Sequence, residues 1–218
     1  MIKVIVFDFD GVIVDSNQVK YDAWFEVFPS GEEIKKTVIQ VLDKHRERSR
    51  FFIIKEILIE LKNKGLLDFD NIDVEVFFYA KKYNDIVESE TINCKEVKGA
   101  KESLEPLLKR FPLYINSGTP LDKLKLIIQQ RSLSVFFKNI YGSPGSKIEN
   151  LSEILRREKI KGSEVLVVGD GWSDLESAQK FGCKFIGIRN SFNNFIAQDF
   201  DILDDLQNLP NLVENFAK

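Results

Sequence analysis

The stretch VIVFDFDGVIVDS, residues 4–16, constrains this chain more than any other. Val4–Phe7 is a continuous apolar, β-branched run of the kind that lies buried in a parallel sheet. It ends in Asp8 and Asp10, two residues apart, before the chain turns at Gly11. Carboxylates that close oppose each other's ionisation unless something compensates them. A strand with two charges at its end therefore asks for a cation, a substrate, or both.

Similar apolar runs recur at Leu113–Asn116, Val165–Val168 and Phe185–Ile188, and more weakly at Asn139–Tyr141. Helical patterns alternate with them. Leu121, Leu124, Ile127 and Ile128 share a face in 119–131, and Ile148, Leu151, Ile154 and Leu155 share one in 147–159. A shorter segment, 174–181, stops at Gly182, a suitable helix C-cap. This alternation predicts an α/β fold with a parallel sheet covered on both faces. Residues 17–90 break the rhythm with four helical stripes: Val19, Ala23, Trp24, Val27 and Phe28; Ile34, Val38, Val41, Leu42 and His45; Ile53, Ile54, Ile57, Leu58 and Leu61; and Val74, Phe77, Phe78, Ile86 and Val87. The expectation is an α/β core of residues 1–16 and 95–218 with a helical domain, 17–94, inserted after the first strand. A length of 218 residues accommodates one core plus a smaller insert. Pro106 lies inside the amphipathic stretch 100–110, where it either kinks a helix or marks its first turn.

Charge and composition exclude several classes of partner. A formal net charge of −3 gives no general attraction to nucleic acid or to an anionic membrane. No run approaches the roughly 20 apolar residues that span a bilayer. The N-terminal apolar run is cut at Asp8, too early for the hydrophobic region of a signal peptide. Cys94 and Cys183 lie far apart and form no metal-ligand spacing, which suits reduced thiols and a cytoplasmic location.

Four polar clusters fall at strand ends: Asp8-Phe9-Asp10-Gly11; Ser117, Gly118 and Thr119 in INSGTP; Lys147 in GSPGSK; and Asp170 and Asp174 in VVGDGWSD. Ligands of an open parallel sheet bind outside the carboxyl ends of its strands, so the four clusters converge on one crevice. The four aspartates offer oxygen alone, which suits a hard divalent cation such as Mg²⁺. Lys147 adds a point positive charge, and Ser117 and Thr119 add hydroxyls. Thr119 before Pro120 reads as an N-cap and first helical residue, aiming a helix N-terminus at the same place. Together these are the requirements of phosphoryl transfer. No Cys or His occurs in the four clusters, so a carboxylate is the available nucleophile. Asp8 would attack phosphorus, and Asp10, on the same face of an ideal strand, would serve as acid and then base.

In their order along the chain, DFDGV, SGT, the later lysine and GDGWSD resemble the four motifs of the haloacid dehalogenase superfamily. The resemblance covers roughly residues 1–16 and 95–205. It implies a three-layer, Rossmann-like α/β core and a Mg²⁺-dependent aspartyl-phosphate mechanism. Carried across by motif, Asp8 is nucleophile and metal ligand. Asp10 is acid/base and lends its backbone carbonyl to the metal. Ser117 and Lys147, with Gly118 and Thr119 beside them, hold the phosphoryl group. Asp170 ligates the metal and Asp174 supports it. The insert is similar to the helical cap of phosphoglycolate phosphatase-like and β-phosphoglucomutase-like members. Members that cleave carbon–halogen bonds generally lack an acid at the Asp10 position, so its presence implies a phosphate ester. Gly171 stands where relatives often carry Ser.

The expected activity is hydrolysis of a small phosphorylated metabolite, with a phosphosugar mutase of the same core chemistry as the alternative. A non-catalytic phospho-binding protein is opposed by the intact motifs. A receiver-type signalling domain is opposed by the order of the clusters and by the insert. Arg46, Arg48 and Arg50, in KHRERSR, form the one basic cluster and either meet a substrate anion or coat a solvated helix face. His45, the only histidine, continues an apolar stripe and reads as structural. The sequence does not specify an oligomeric state.

Overall fold

The computed structural model of the protein describes residues 1–45, 48–193, 195–196 and 199–216. Its elements in chain order are β1 (Val4–Phe7), α1 (Asn17–Val27), α2 (Glu32–His45), α3 (Arg50–Asn63), α4 (Ile72–Asn93), α5 (Ala100–Leu108), β2 (Leu113–Pro120), α6 (Leu121–Gln130), β3 (Asn139–Ser143), α7 (Lys147–Glu158), β4 (Val165–Gly169), α8 (Trp172–Phe181), β5 (Lys184–Ile188), β6 (Asp201–Leu203) and α9 (Leu209–Phe216). They form two compact units, one of Met1–Asn17 with Cys94–Lys218 and one of Gln18–Asn93.

The first unit is the α/β fold that the alternation predicts. Its strands lie in the order β3-β2-β1-β4-β5-β6, and every neighbouring pair is parallel. β1 is central, with Val6 opposite Tyr114 on one side and Val167 on the other. All residues of β1 and β4 are buried, which explains why both read as unbroken apolar runs. Side chains alternate across the sheet. Val4 and Val6 pack with Leu151 and Ile154 of α7 and with Leu175 and Ala178 of α8. Ile5 and Phe7 face the other way, and Phe7 meets Phe137 edge-on at 6.5 Å between ring centroids. The chain crosses from one side of β1 to the other between β3 and β4, and such a switch point opens a crevice at the strand ends.

Two local features differ from the sequence reading, and a third selects between its alternatives. β2 continues through Ser117–Thr119 to Pro120, with a register shift against β3 between Asn116 and Pro120. α6 starts at Leu121 and has no side-chain cap, because the Thr119 hydroxyl is bonded to Asp10 instead. α5 begins at Ala100 and runs through Pro106, ending two residues later at Leu108, so Pro106 does not mark its first turn. β6 and α9 carry too short a pattern to read: β6 is three residues with none fully buried.

The helical unit is built on one apolar core. Ile53, Ile54, Ile57, Leu58 and Leu61 of α3 are all buried, as their spacing predicts. Ser49 caps α3 by accepting from the Phe52 N–H at 3.3 Å. α4 keeps Ile86 and Val87 of its predicted stripe against the core but turns its first part differently. Its buried side is Tyr79, Ala80, Tyr83, Val87 and Thr91, while Val74, Phe77 and Phe78 are 61%, 70% and 56% exposed. The aromatic partners decide the rotation. Tyr79 stacks on Phe28 at 4.8 Å, Tyr83 lies 4.4 Å from Trp24, and the Tyr83 hydroxyl donates to the Lys20 carbonyl at 3.0 Å. Leu58→Ala should therefore lower stability by about 2–5 kcal/mol, and Phe77→Ala by no more than about 0.5 kcal/mol. Denaturant unfolding of the whole chain checks the pair, and a large cost at Phe77 would contradict this face. Among the described residues no helix is long and apolar enough to cross a membrane.

Candidate active site

The site is built at the ends of β1, β2 and β4 and the starts of α7 and α8. Asp8 directly follows β1. Its N–H extends the β1–β4 ladder by donating to the Val168 carbonyl at 2.8 Å. Its Oδ1 accepts from the Phe9 N–H at 2.7 Å, and its Oδ2 lies 2.8 Å from Lys147 Nζ. Lys147 is the first residue of α7, whose start is fixed by reciprocal bonds between Ser146 and Glu149. Asn116 Nδ2 donates to the Lys147 carbonyl at 2.9 Å, and Asn150 Nδ2 donates to Asn116 Oδ1 at 3.0 Å. The lysine is thus carried on a rigid frame rather than on a free loop.

Asp10 is held separately. Its Oδ1 accepts from the Ser16 hydroxyl at 2.6 Å, and its Oδ2 accepts from Thr119 Oγ1 at 2.8 Å and from Ser117 Oγ at 3.3 Å. The Thr119 N–H donates to Ser117 Oγ at 3.0 Å, which fixes the two hydroxyls against each other. Gly118 is exposed, with open space where a Cβ would lie.

One carboxylate oxygen from each of Asp8, Asp170 and Asp174 lies within 4.8 Å of the other two. Lys147 Nζ, between Asp174 Oδ1 at 2.6 Å and Asp8 Oδ2 at 2.8 Å, supplies one ammonium against three carboxylates. Burial, followed by the charge of Asp8, pushes the Asp170 carboxyl up to about 6. Burial also raises Asp174; Lys147 opposes this, while Asp8 and Asp170 add to it. Burial alone would lower the Lys147 ammonium, but Asp174 and Asp8 more than reverse that, leaving it above its usual range. An oxygen-only donor set with unbalanced negative charge fits a hard divalent cation, which would relieve the same repulsion. Close approach is built in: a Cβ on Gly169 would sit 2.3 Å from the Asp174 Cβ.

The family model of haloacid dehalogenase-like hydrolases matches residues 5–188. The chain belongs to this family. A phosphoglycolate phosphatase of Vibrio parahaemolyticus is 25% identical over 209 residues, covering 88% of this chain and 86% of that one. A predicted phosphoglycolate phosphatase from Haemophilus somnus has the same fold, with a TM-score of 0.75 at 16% identity over 97% of this chain and 98% of its own. Bacillus subtilis YfnB, a HAD-hydrolase whose structure was solved with magnesium bound, aligns with a TM-score of 0.74 at 17% identity over 98% and 99% of the two chains. The protein is therefore a hydrolase of the haloacid dehalogenase-like family, as its four motifs imply.

Within this hydrolase the predicted residues Asp8, Asp10, Ser117, Thr119, Lys147, Asp170 and Asp174 come together through the contacts above. The basic cluster lies in the helical unit. Arg46 is outside the described residues. Arg48 is exposed and stacks over the Phe52 ring at 4.6 Å. Arg50 bonds Asn84 and lies 5.9 Å from the Tyr83 ring centroid. His45 meets Phe52 edge-on at 5.2 Å, the packing role expected of it. Ser16, Asn17, Asn190 and Asn193 carry no motif in the sequence, although their hydrogen bonds reach the site. The last two follow β5, and a polar residue just past the carboxyl end of any parallel strand was the available signal.

Proposed function

We propose that this hydrolase is a Mg²⁺-dependent phosphatase of a small phosphorylated metabolite, working through a phosphoryl group carried on Asp8. The observation that carries this reading is the separation of the two neighbouring carboxylates: Asp8 is grouped with Asp170, Asp174 and Lys147, whereas Asp10 is caged by hydroxyls. A nucleophile and an acid/base need such different surroundings. An acid at position 10 suits an alkoxide leaving group, and the name of the Vibrio relative supports a phosphate ester.

In this mechanism an Asp8 carboxylate oxygen attacks phosphorus, the bond from phosphorus to the ester oxygen breaks, and Asp10 protonates the departing alkoxide. Water then attacks the phosphorus of the aspartyl phosphate while Asp10 takes its proton. The phosphorus–Asp8 bond breaks, releasing inorganic phosphate and restoring the carboxylate. Lys147 offsets charge on the phosphoryl oxygens. Ser117 has the longer contact to Asp10 and is the hydroxyl more easily exchanged for a phosphoryl oxygen, with Gly118 leaving room beside it. Thr119, with the shorter bond, keeps Asp10 in place. Asp8, Asp170 and the Asp10 carbonyl would hold Mg²⁺, supported by Asp174, and the ion would supply positive charge for the phosphoryl oxygens.

Release of inorganic phosphate from a panel of phosphorylated metabolites, phosphoglycolate among them, tests the reading. Release with Mg²⁺ is expected from one or a few compounds, falling by about 10²-fold or more with chelator. Release that ignores chelation would remove the ion from the mechanism. No hydrolysis, with isomerisation of a sugar phosphate instead, would replace hydrolysis by phosphoryl return to the substrate.

A further inference from the structure

Asp170 is gripped by asparagines that the mechanism leaves unassigned. Asn17 Nδ2 and Asn190 Nδ2 each donate to Asp170 Oδ2 at 2.7 Å. We propose that Asn17 and Asn190 are positioning residues that fix the Asp170 carboxylate for a divalent cation. The inference rests on the cation reading of the Asp8–Asp170–Asp174 cluster above.

A carboxylate oxygen has two in-plane lone pairs, and two N–H donors occupy both on Oδ2. The plane of the carboxylate is thereby set, and Oδ1 is the oxygen offered to an ion. Neutral amides do this without cancelling the charge, as a lysine or arginine would. The orientation of Asn190 is not arbitrary. Its Oδ1 accepts from the Phe192 N–H at 2.8 Å and the Asn193 N–H at 3.2 Å, so its Nδ2 must face Asp170. Asn193 closes the loop by donating from Nδ2 to the Asp170 carbonyl at 2.9 Å and the Ile188 carbonyl at 2.8 Å. Asn17 follows Ser16, which is fully buried and bonded to Asp10, so one dipeptide serves both aspartates. Gly11 accounts for the remaining space. It has φ +74°, and a Cβ there would lie 2.1 Å from Asp170 Oδ2 and 2.3 Å from Asn17 Nδ2. The glycine of the first motif leaves room for this hydrogen bond.

Outer partners that orient metal ligands are commonly worth 10–100-fold in metal affinity. Binding of Mn²⁺ to the full chain, read from the spin resonance of the free ion and displaced by Mg²⁺, measures this without turnover. Asn17→Ala and Asn190→Ala should each weaken binding by about 10–100-fold, with thermal unfolding in chelator little changed. Asn17→Ala places the best helix former at the first position of α1 and removes only this bond, so it remains informative if Asn190→Ala also loosens its loop. A folded Asn17→Ala that binds Mn²⁺ within about two-fold of wild type overturns the inference alone. A wild type that binds no Mn²⁺ overturns the cation reading, and this inference with it.

Discussion

Asp8→Asn is expected to abolish turnover, by at least about 10⁴-fold, in a protein that still folds. The amide cannot form the acyl phosphate, and each of the other carboxylates gathered here is held by its own donors, Asp170 by Asn17 and Asn190. Asp10 is bonded by Ser16, Thr119 and Ser117, and Asp174 is bonded by Lys147. The fold should survive because the substitution removes one of three carboxylates gathered around a single ammonium, and Lys147 keeps Asp174 at 2.6 Å. The measurement pairs unfolding curves with rapid quench of a phosphate ester labelled at phosphorus. Label should be trapped on wild type and absent from the variant. Label on Asp8→Asn would move the nucleophile elsewhere.

The α/β core and its chemistry are legible because the constraints there are local. Val4–Phe7 reads as an inner strand, because a short β-branched apolar run that stops at two carboxylates suits a strand buried on both faces with its end at a site. The same rule places Val165–Gly169 beside it. What is not legible depends on partners far away in sequence. The Thr119-Pro120 pair has the composition of a helix start, yet its hydroxyl finds Asp10, more than a hundred residues back, and β2 continues in its place. α4 carries apolar residues on more than one face, and packing against other segments, Phe28 and Trp24 among them, determines which side turns inward. Asn17 and Asn190 are ordinary turn and cap residues by type. Their meaning comes from meeting at a single oxygen of Asp170 across gaps of 153 and 20 residues. Sequence exposes groups whose presence is costly unless explained, such as clustered charge on a strand. It hides neutral groups that explain them.

The separate surroundings of Asp10 lead to the second large effect, in which Asp10→Asn divides substrates by their leaving group. The substitution should be accommodated, because the Asn oxygen can still accept from Ser16 and its NH₂ can donate to the hydroxyl oxygens of Thr119 and Ser117. What it removes is the proton for the departing alkoxide and the base for the incoming water. Alkyl phosphates should lose about 10²–10⁴-fold in turnover, since their leaving group is a strong base that departs poorly without an acid. p-Nitrophenyl phosphate needs no such help, so transfer to Asp8 should stay fast while hydrolysis of the aspartyl phosphate slows. The expected trace is a burst of p-nitrophenol approaching one per site, followed by a slow steady rate. An equal loss on both substrates with no burst would mean that Asp10 acts before the phosphoryl group reaches Asp8, as a structural support for the site, and the acid/base role would pass to another group.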